Sequence, residues 1–166
     1  MIYLRKILIT TDLSDFSLAA MEYAASLGLL YASKLYCLYV VDHGTPSFKR
    51  HDRGEETKFH QRQAEKMAMQ ELQMFLGQKV EPGIDPIPVV RSGAPAQVIE
   101  RFARQEGIGL IVMATHGRTG LRHIVMGSVA EKVVRISPIP VLTVKPHALR
   151  EMILDDEDIE SELHLG

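Results

Sequence analysis

The residues best suited to do chemistry are Ala114-Thr115-His116-Gly117-Arg118-Thr119-Gly120 and, further on, Gly127-Ser128-Val129. They follow an uncharged run, Leu110 to Ala114, of the kind that forms a fully buried strand in a parallel sheet. Gly117 and Gly120 carry no Cβ, so the backbone there can take angles closed to other residues and let an anion approach its N–H groups. Gly127 and Ser128 stand directly before the helical pattern Val129, Ala130, Val133, Val134. A helix starting there aims unpaired N–H groups and the positive end of its dipole back at the loop, which is the chemistry of phosphate binding. Ser128 fits two roles, N-cap of that helix or hydroxyl donor to a phosphate oxygen. Arg118, Arg122 and His123 suit a solvated loop surface first, and arginine forks there could also pair with phosphate. Glycines after a strand also make plain turns, so spacing alone leaves both readings open.

Any such site must be positioned by the rest of the chain. Lys6 to Asp12 is a short apolar run ending in polar residues, a first strand with its carboxyl end at Asp12. Ser14 and Asp15 supply helix-start chemistry, Ala19, Ala20, Tyr23, Ala24 and Leu27 recur at helical spacing, and Gly28 or Ala32-Ser33 marks the exit. Leu35 to Val41 predicts a second strand. His43 to Glu56, with Gly44, Pro46, Lys49, Arg50, Arg53 and Gly54, predicts a mobile loop, either a lid or a plain connector. From Glu56 to about Leu76, the residues Phe59, Ala64, Met67, Ala68, Leu72, Phe75 and Leu76 have amphipathic helical spacing. Ile87 to Val90 predicts a third strand, and Pro95 to Gly107 brackets a helix with proline near its start and glycine beyond its end. Leu110 to Ala114 is the fourth strand, Ser128 to about Ile136 a further helix, and Val141 to Val144 the fifth strand. This alternation predicts a single α/β domain, an open parallel sheet with helices on both faces.

Composition narrows the function classes. A chain of 166 residues, 46% hydrophobic and 24% charged, is long enough for one domain with a full core. Its net charge of −2 gives no general attraction to nucleic acid or to a membrane surface. In residues 147–166, Arg150 stands against Glu151, Asp155, Asp156, Glu157, Asp158, Glu160 and Glu162, so that acidic tail is −6 and the body, 1–146, is +4. The single cysteine, Cys37, lies in an apolar run and excludes an internal disulfide or a cysteine metal cluster. The chain has no HExxH, no GxxxxGK[ST] and no evident Ser/His/Asp arrangement, so binding is expected rather than catalysis. No apolar run approaches the roughly 18 residues of a membrane span and no leader pattern opens the sequence, so a cytoplasmic protein is expected.

Ala114-Thr115-His116-Gly117, nine residues, and Gly127-Ser128, closing with Pro138-Ile139-Pro140-Val141-Leu142-Thr143-Val144, resemble the signature of the universal stress protein family. Nucleotide-binding members carry Gly, two residues, Gly, nine residues, Gly and then Ser or Thr. Gly117, Gly127 and Ser128 match, while Ala114 replaces the first glycine and adds a methyl group. The resemblance spans residues 5 to 145. It implies a Rossmann-like five-stranded sheet of order 3-2-1-4-5, whose first and fourth strands flank the switch point where such sheets bind ligands. It also implies an adenine nucleotide, ATP, ADP or AMP, with any Mg2+ carried by the phosphates. Asp12 would then meet the adenosine moiety and the Val40 backbone the adenine, and each residue also has a plain role, Asp12 in a turn and Val40 in the core. Phosphate contacts would fall at Gly117, Arg118, Gly127, Ser128 and Val129, with Ala114, Thr115 and Gly120 also in the nucleotide site and His116 either contacting the ligand or orienting the loop. The resemblance further implies a homodimer through Val141, Leu142, Thr143 and Val144, an edge whose backbone gains from a partner strand. The role implied is a stress-response module rather than an enzyme, with slow ATP hydrolysis left open as a side reaction. The alternative is an interaction protein that keeps the fold without nucleotide; Ala114 favours it, and Gly117, Gly127 and Ser128 count against it.

Overall fold

The computed structural model describes residues 4–42, 55–116 and 126–146. In chain order the elements are β1 (Lys6–Thr11), a 3-10 turn (Asp15–Ser17), α1 (Leu18–Tyr31), β2 (Lys34–Val41), α2 (Glu55–Lys79), β3 (Ile87–Ser92), α3 (Pro95–Glu106), β4 (Leu110–Ala114), α4 (Ser128–Ile136) and β5 (Val141–Val144). All five strands are parallel, in the order β3-β2-β1-β4-β5. β1 is central, with Ile9 opposite Cys37 of β2 on one side and Val112 of β4 on the other.

Burial explains why these strands read as unbroken apolar runs. Ile7, Leu8 and Ile9 are all sealed from solvent, which a strand covered on both faces requires. Ile7 and Ile9 cluster with Ala20 and Ala24 of α1 and with Ala68 and Leu72 of α2. Leu8 clusters on the other face with Ile99 and Phe102 of α3 and with Ala130 and Val133 of α4.

Local chemistry sets the helix ends, in places differently from the sequence expectation. Ser14 makes no capping bond to the helix that follows. Its hydroxyl and N–H are both taken by Asp12, so the chain passes through the 3-10 turn before α1 begins at Leu18. Gly28 lies inside α1 rather than at its exit, and a Cβ there would sit 2.8 Å from Leu35 Cδ2. The helix ends at Ala32, in the left-handed region at φ 50°, and the Ser33 N–H donates to the Gly28 carbonyl at 2.9 Å. Gly107 ends α3 in the same conformation, at φ 65°. α2 starts at Glu55, inside the stretch expected to be loop, and runs to Lys79, about one turn beyond Leu76. Residues 43–54 of that expected loop and the acidic tail 147–166 lie outside the described residues.

Cys37 reports on the integrity of this core. It is fully buried in β2, and burial pushes its thiol from 9.0 up to about 12. Between those values the folded chain keeps a proton that the unfolded chain has lost, so stability falls as pH rises from 9 toward 12. The native protein is expected to leave an aromatic disulfide reagent unreacted at pH 8, with one thiol per chain titrating after unfolding in urea. A Cys37→Ala variant is expected to lose less stability across the alkaline window. Fast reaction of the native protein would contradict the sealed core.

Candidate functional site

β1 and β4 are neighbours, yet the chain leaves them toward opposite faces, from β1 into α1 and from β4 toward α4. No helix can cover the gap between two strand ends whose connections diverge, and a crevice opens there. It holds a cavity of about 300 Å³. Thr10, Thr11, Asp12 and Ser17 line it from the end of β1 and the turn, Leu38 and Val40 from β2, and Pro95 and Ile99 from α3. Met113, Ala114, Thr115 and His116 contribute from β4 and its exit, and Gly127, Ser128, Val129 and Ala130 from the start of α4.

The structure thus brings Asp12, Val40, Ala114, Thr115, His116, Gly127, Ser128 and Val129 to one cavity. Gly117, Arg118 and Gly120, together with Arg122 and His123, lie outside the described residues.

Backbone bonds around Thr115 tie the site together. Its N–H donates to the Val144 carbonyl at 2.9 Å, and its own carbonyl accepts the Gly127 N–H at 2.6 Å. The exit of β4 is therefore fastened to β5 on one side and to the start of α4 on the other. The Thr115 hydroxyl lies 2.9 Å from His116 Nδ1 and 3.4 Å from the Val144 carbonyl, and both side chains are buried. Glycine at 127 gives this closure room, because a Cβ would stand 3.0 Å from the Thr115 carbonyl oxygen. Its N–H is committed to that oxygen.

Ser128 also differs from its first reading. The N-cap of α4 is Gly127, extended at φ −66° and ψ 150°, and Ser128 is the exposed first helical residue. The first helical bond runs from the Glu131 N–H to the Gly127 carbonyl at 3.0 Å. The N–H groups of Ser128, Val129 and Ala130 therefore have no acceptor within the helix, and all three residues line the cavity. They add the positive end of the α4 dipole to one wall.

At the other end, Asp12 Oδ1 accepts the Ser14 N–H at 3.1 Å and the Ser14 hydroxyl at 2.5 Å. Sequence reasoning missed Thr10, Thr11, Ser17, Leu38, Pro95, Ile99, Met113 and Ala130 as lining residues. Thr11 and Ser17 flank Asp12 closely enough that their hydroxyls could have been noticed. Pro95 and Ile99 reach the cavity only through the packing of α3 on the sheet, which leaves no local signal. Among the described residues no group of three or more His, Cys, Asp or Glu could hold a metal ion. Nor is any helix among them long and apolar enough to cross a membrane.

Comparison with known proteins matches the model of the Universal stress protein family to residues 4–145. Universal stress protein MJ0531 of Methanocaldococcus jannaschii is 34% identical over 145 residues, covering 85% of this chain and 82% of that one. The solved structure of protein MJ0577 from the same organism is similar with a TM-score of 0.67 at 28% identity, covering 87% of this chain and 97% of that one. At the level of fold alone, the chain is also similar to a universal stress protein solved with cAMP, at 22% identity, a TM-score of 0.55, and 86% and 98% coverage. The same holds for one from Archaeoglobus fulgidus solved with dAMP, at 20% identity, a TM-score of 0.51, and 87% and 100% coverage. With that match over nearly all of its described fold, this chain belongs to the universal stress protein family.

Proposed function

We propose that this protein binds an adenine nucleotide at the switch point of its sheet and acts as a stress-response module, with the bound nucleotide as its signal and no catalytic turnover as its task. One observation carries the reading: a single cavity joins an apolar wall, Leu38, Val40, Ile99 and Met113, to the open N-terminus of α4. An adenine ring suits the apolar wall, and the Asp12 carboxylate is an acceptor for ribose hydroxyls. The N–H groups of Ser128, Val129 and Ala130, with the Ser128 hydroxyl, are donors for a phosphate. The volume of about 300 Å³ lies at the small end of ligand sites, about 300–1,000 Å³, and suits a nucleoside whose phosphates reach the rim. The cAMP and dAMP complexes of other family members support adenine and phosphate as the shared chemistry. The described residues offer no protein cage for Mg2+, so the ion would be held by the phosphates of ATP or ADP.

The same reading includes a homodimer. β5 is an edge strand, with β4 on one side of it. Pairing of Val141, Leu142, Thr143 and Val144 with a second copy would satisfy backbone groups that an edge leaves to water. Sedimentation at micromolar concentration is expected to give twice the 18.6 kDa chain mass, and a monomer would sink this part of the proposal.

The direct test is calorimetric titration of MgATP, AMP and adenosine into nucleotide-free protein, with Ser128→Asp as the variant. Asp at the first helical position favours the helix, so the fold is kept while a carboxylate occupies the place of a phosphate. One MgATP per chain is expected, weakened about tenfold or more in Ser128→Asp, with adenosine changed less than about twofold and the melting temperature not lowered. Gly127→Ala is expected to lower stability as well, by about 1–3 kcal/mol, because its methyl group presses on the Thr115 carbonyl. Absence of binding would replace this reading with that of an interaction protein built on the same fold.

A further inference from the structure

We infer that Thr11 and Ser17 are positioning residues that hold the Asp12 carboxylate in place for the ribose hydroxyls of the ligand; the inference rests on the nucleotide reading above. Both are buried in the cavity wall, one before Asp12 and the other five residues after it.

Ser17 Oγ donates its only proton to the Ser14 carbonyl at 2.7 Å. The 2.7 Å contact between Thr11 Oγ1 and Ser17 Oγ must then be donated by Thr11. Thr11 Oγ1 in turn accepts the Leu13 N–H at 2.9 Å. Ser14, held through its carbonyl, gives both its N–H and its hydroxyl to Asp12 Oδ1. The bonds form one relay with Asp12 inside it, and Oδ1 accepts twice from Ser14.

Leu13 shows what the relay holds. Its φ is 64°, in the left-handed region that side chains other than those of Gly, Asn and Asp rarely adopt. Its N–H is fixed by Thr11, and its side chain packs against the core cluster of Ile7 and Ile9. A conformation of this kind persists only where its surroundings over-determine it, and here both ends of the residue are tied. With Leu13 in that turn, the neighbouring Asp12 lines the cavity. A carboxylate fixed in this way meets a hydroxyl donor as a preset acceptor and does not first lose rotamer freedom.

The test compares ATP with 2′,3′-dideoxy-ATP, which lacks the hydroxyls that Asp12 would accept, in wild type, Thr11→Val, Ser17→Ala and the hydroxyl-retaining Thr11→Ser. Wild type is expected to favour ATP by about tenfold or more, the worth of a preset hydrogen bond to a charged acceptor. Thr11→Val and Ser17→Ala are expected to bring that ratio toward one, leaving dideoxy-ATP affinity within about twofold, while Thr11→Ser restores the preference. An equal loss for both ligands would overturn the proposal, since a merely structural role moves both together. Amide exchange in ligand-free protein tests the hold separately. Faster exchange at Leu13 and Ser14 in Thr11→Val, with the β1 core unchanged, supports the relay, and unchanged exchange there overturns it. If wild type binds neither nucleotide while the exchange result holds, the nucleotide reading falls and the ribose assignment falls with it, leaving the relay as a demonstrated turn.

Discussion

β1 is enclosed on both faces and along both edges, and the rest of the molecule depends on that enclosure. Ile7, Leu8 and Ile9 are sealed between two helix layers, and β2 and β4 pair on either side. Fully burying one such side chain contributes about 1.5–3 kcal/mol before the conformational entropy of ordering it is set against it. Parallel neighbours on both sides of a first strand force the connections to run toward opposite faces. The crevice at the carboxyl ends of β1 and β4 is therefore a consequence of how the core is built. A cavity at that place needs no further packing defect to explain it.

What makes the crevice chemically specific is the fastening of β4 to α4. The Thr115 carbonyl takes the Gly127 N–H, and the absence of a Cβ at 127 lets the two backbones come that close. With Gly127 committed, the next three residues, whose N–H groups have no acceptor within the helix, line the cavity. The Thr115 N–H reaches the Val144 carbonyl on the edge strand. One residue thus links the helix end proposed to meet phosphate to the strand proposed to pair with a second copy. This offers a short physical path by which ligand and oligomer could influence each other.

Much of this was legible in the sequence, for reasons particular residues make plain. The strands Lys6–Thr11 and Leu110–Ala114 announce themselves as apolar runs because both of their faces are buried. Pro95 and Gly107 bracket α3 as helix punctuation predicts. The residues expected at the site also meet, so far as they are described, because switch-point geometry follows from strand order. What escaped the sequence were competitions between near-equal partners. Ser14 has the chemistry of a cap, but Asp12 two residues before it offers a charged acceptor, and the turn wins over the cap. Ser128 gives way as N-cap to Gly127, whose extended backbone is fixed by its bond to Thr115. Of the two exits the sequence offered for α1, Ala32 is the one used, and Gly28 is instead a contact surface for Leu35. Each depends on a neighbour distant in sequence or on a small difference in acceptor strength, and neither appears in a local pattern.

On the proposed reading, the switch-point cavity holds an adenine nucleotide with its phosphates at α4. The most direct measurement is residue-resolved amide hydrogen exchange with and without saturating MgATP. The account predicts slowed exchange at Ser128, Val129 and Ala130 and from Asp12 to Ser14, with Leu29, Leu30 and Tyr31 at the far end of α1 unchanged. Saturating nucleotide that leaves the start of α4 and the end of β1 at their free rates, or protects only the far end of the sheet, would contradict it.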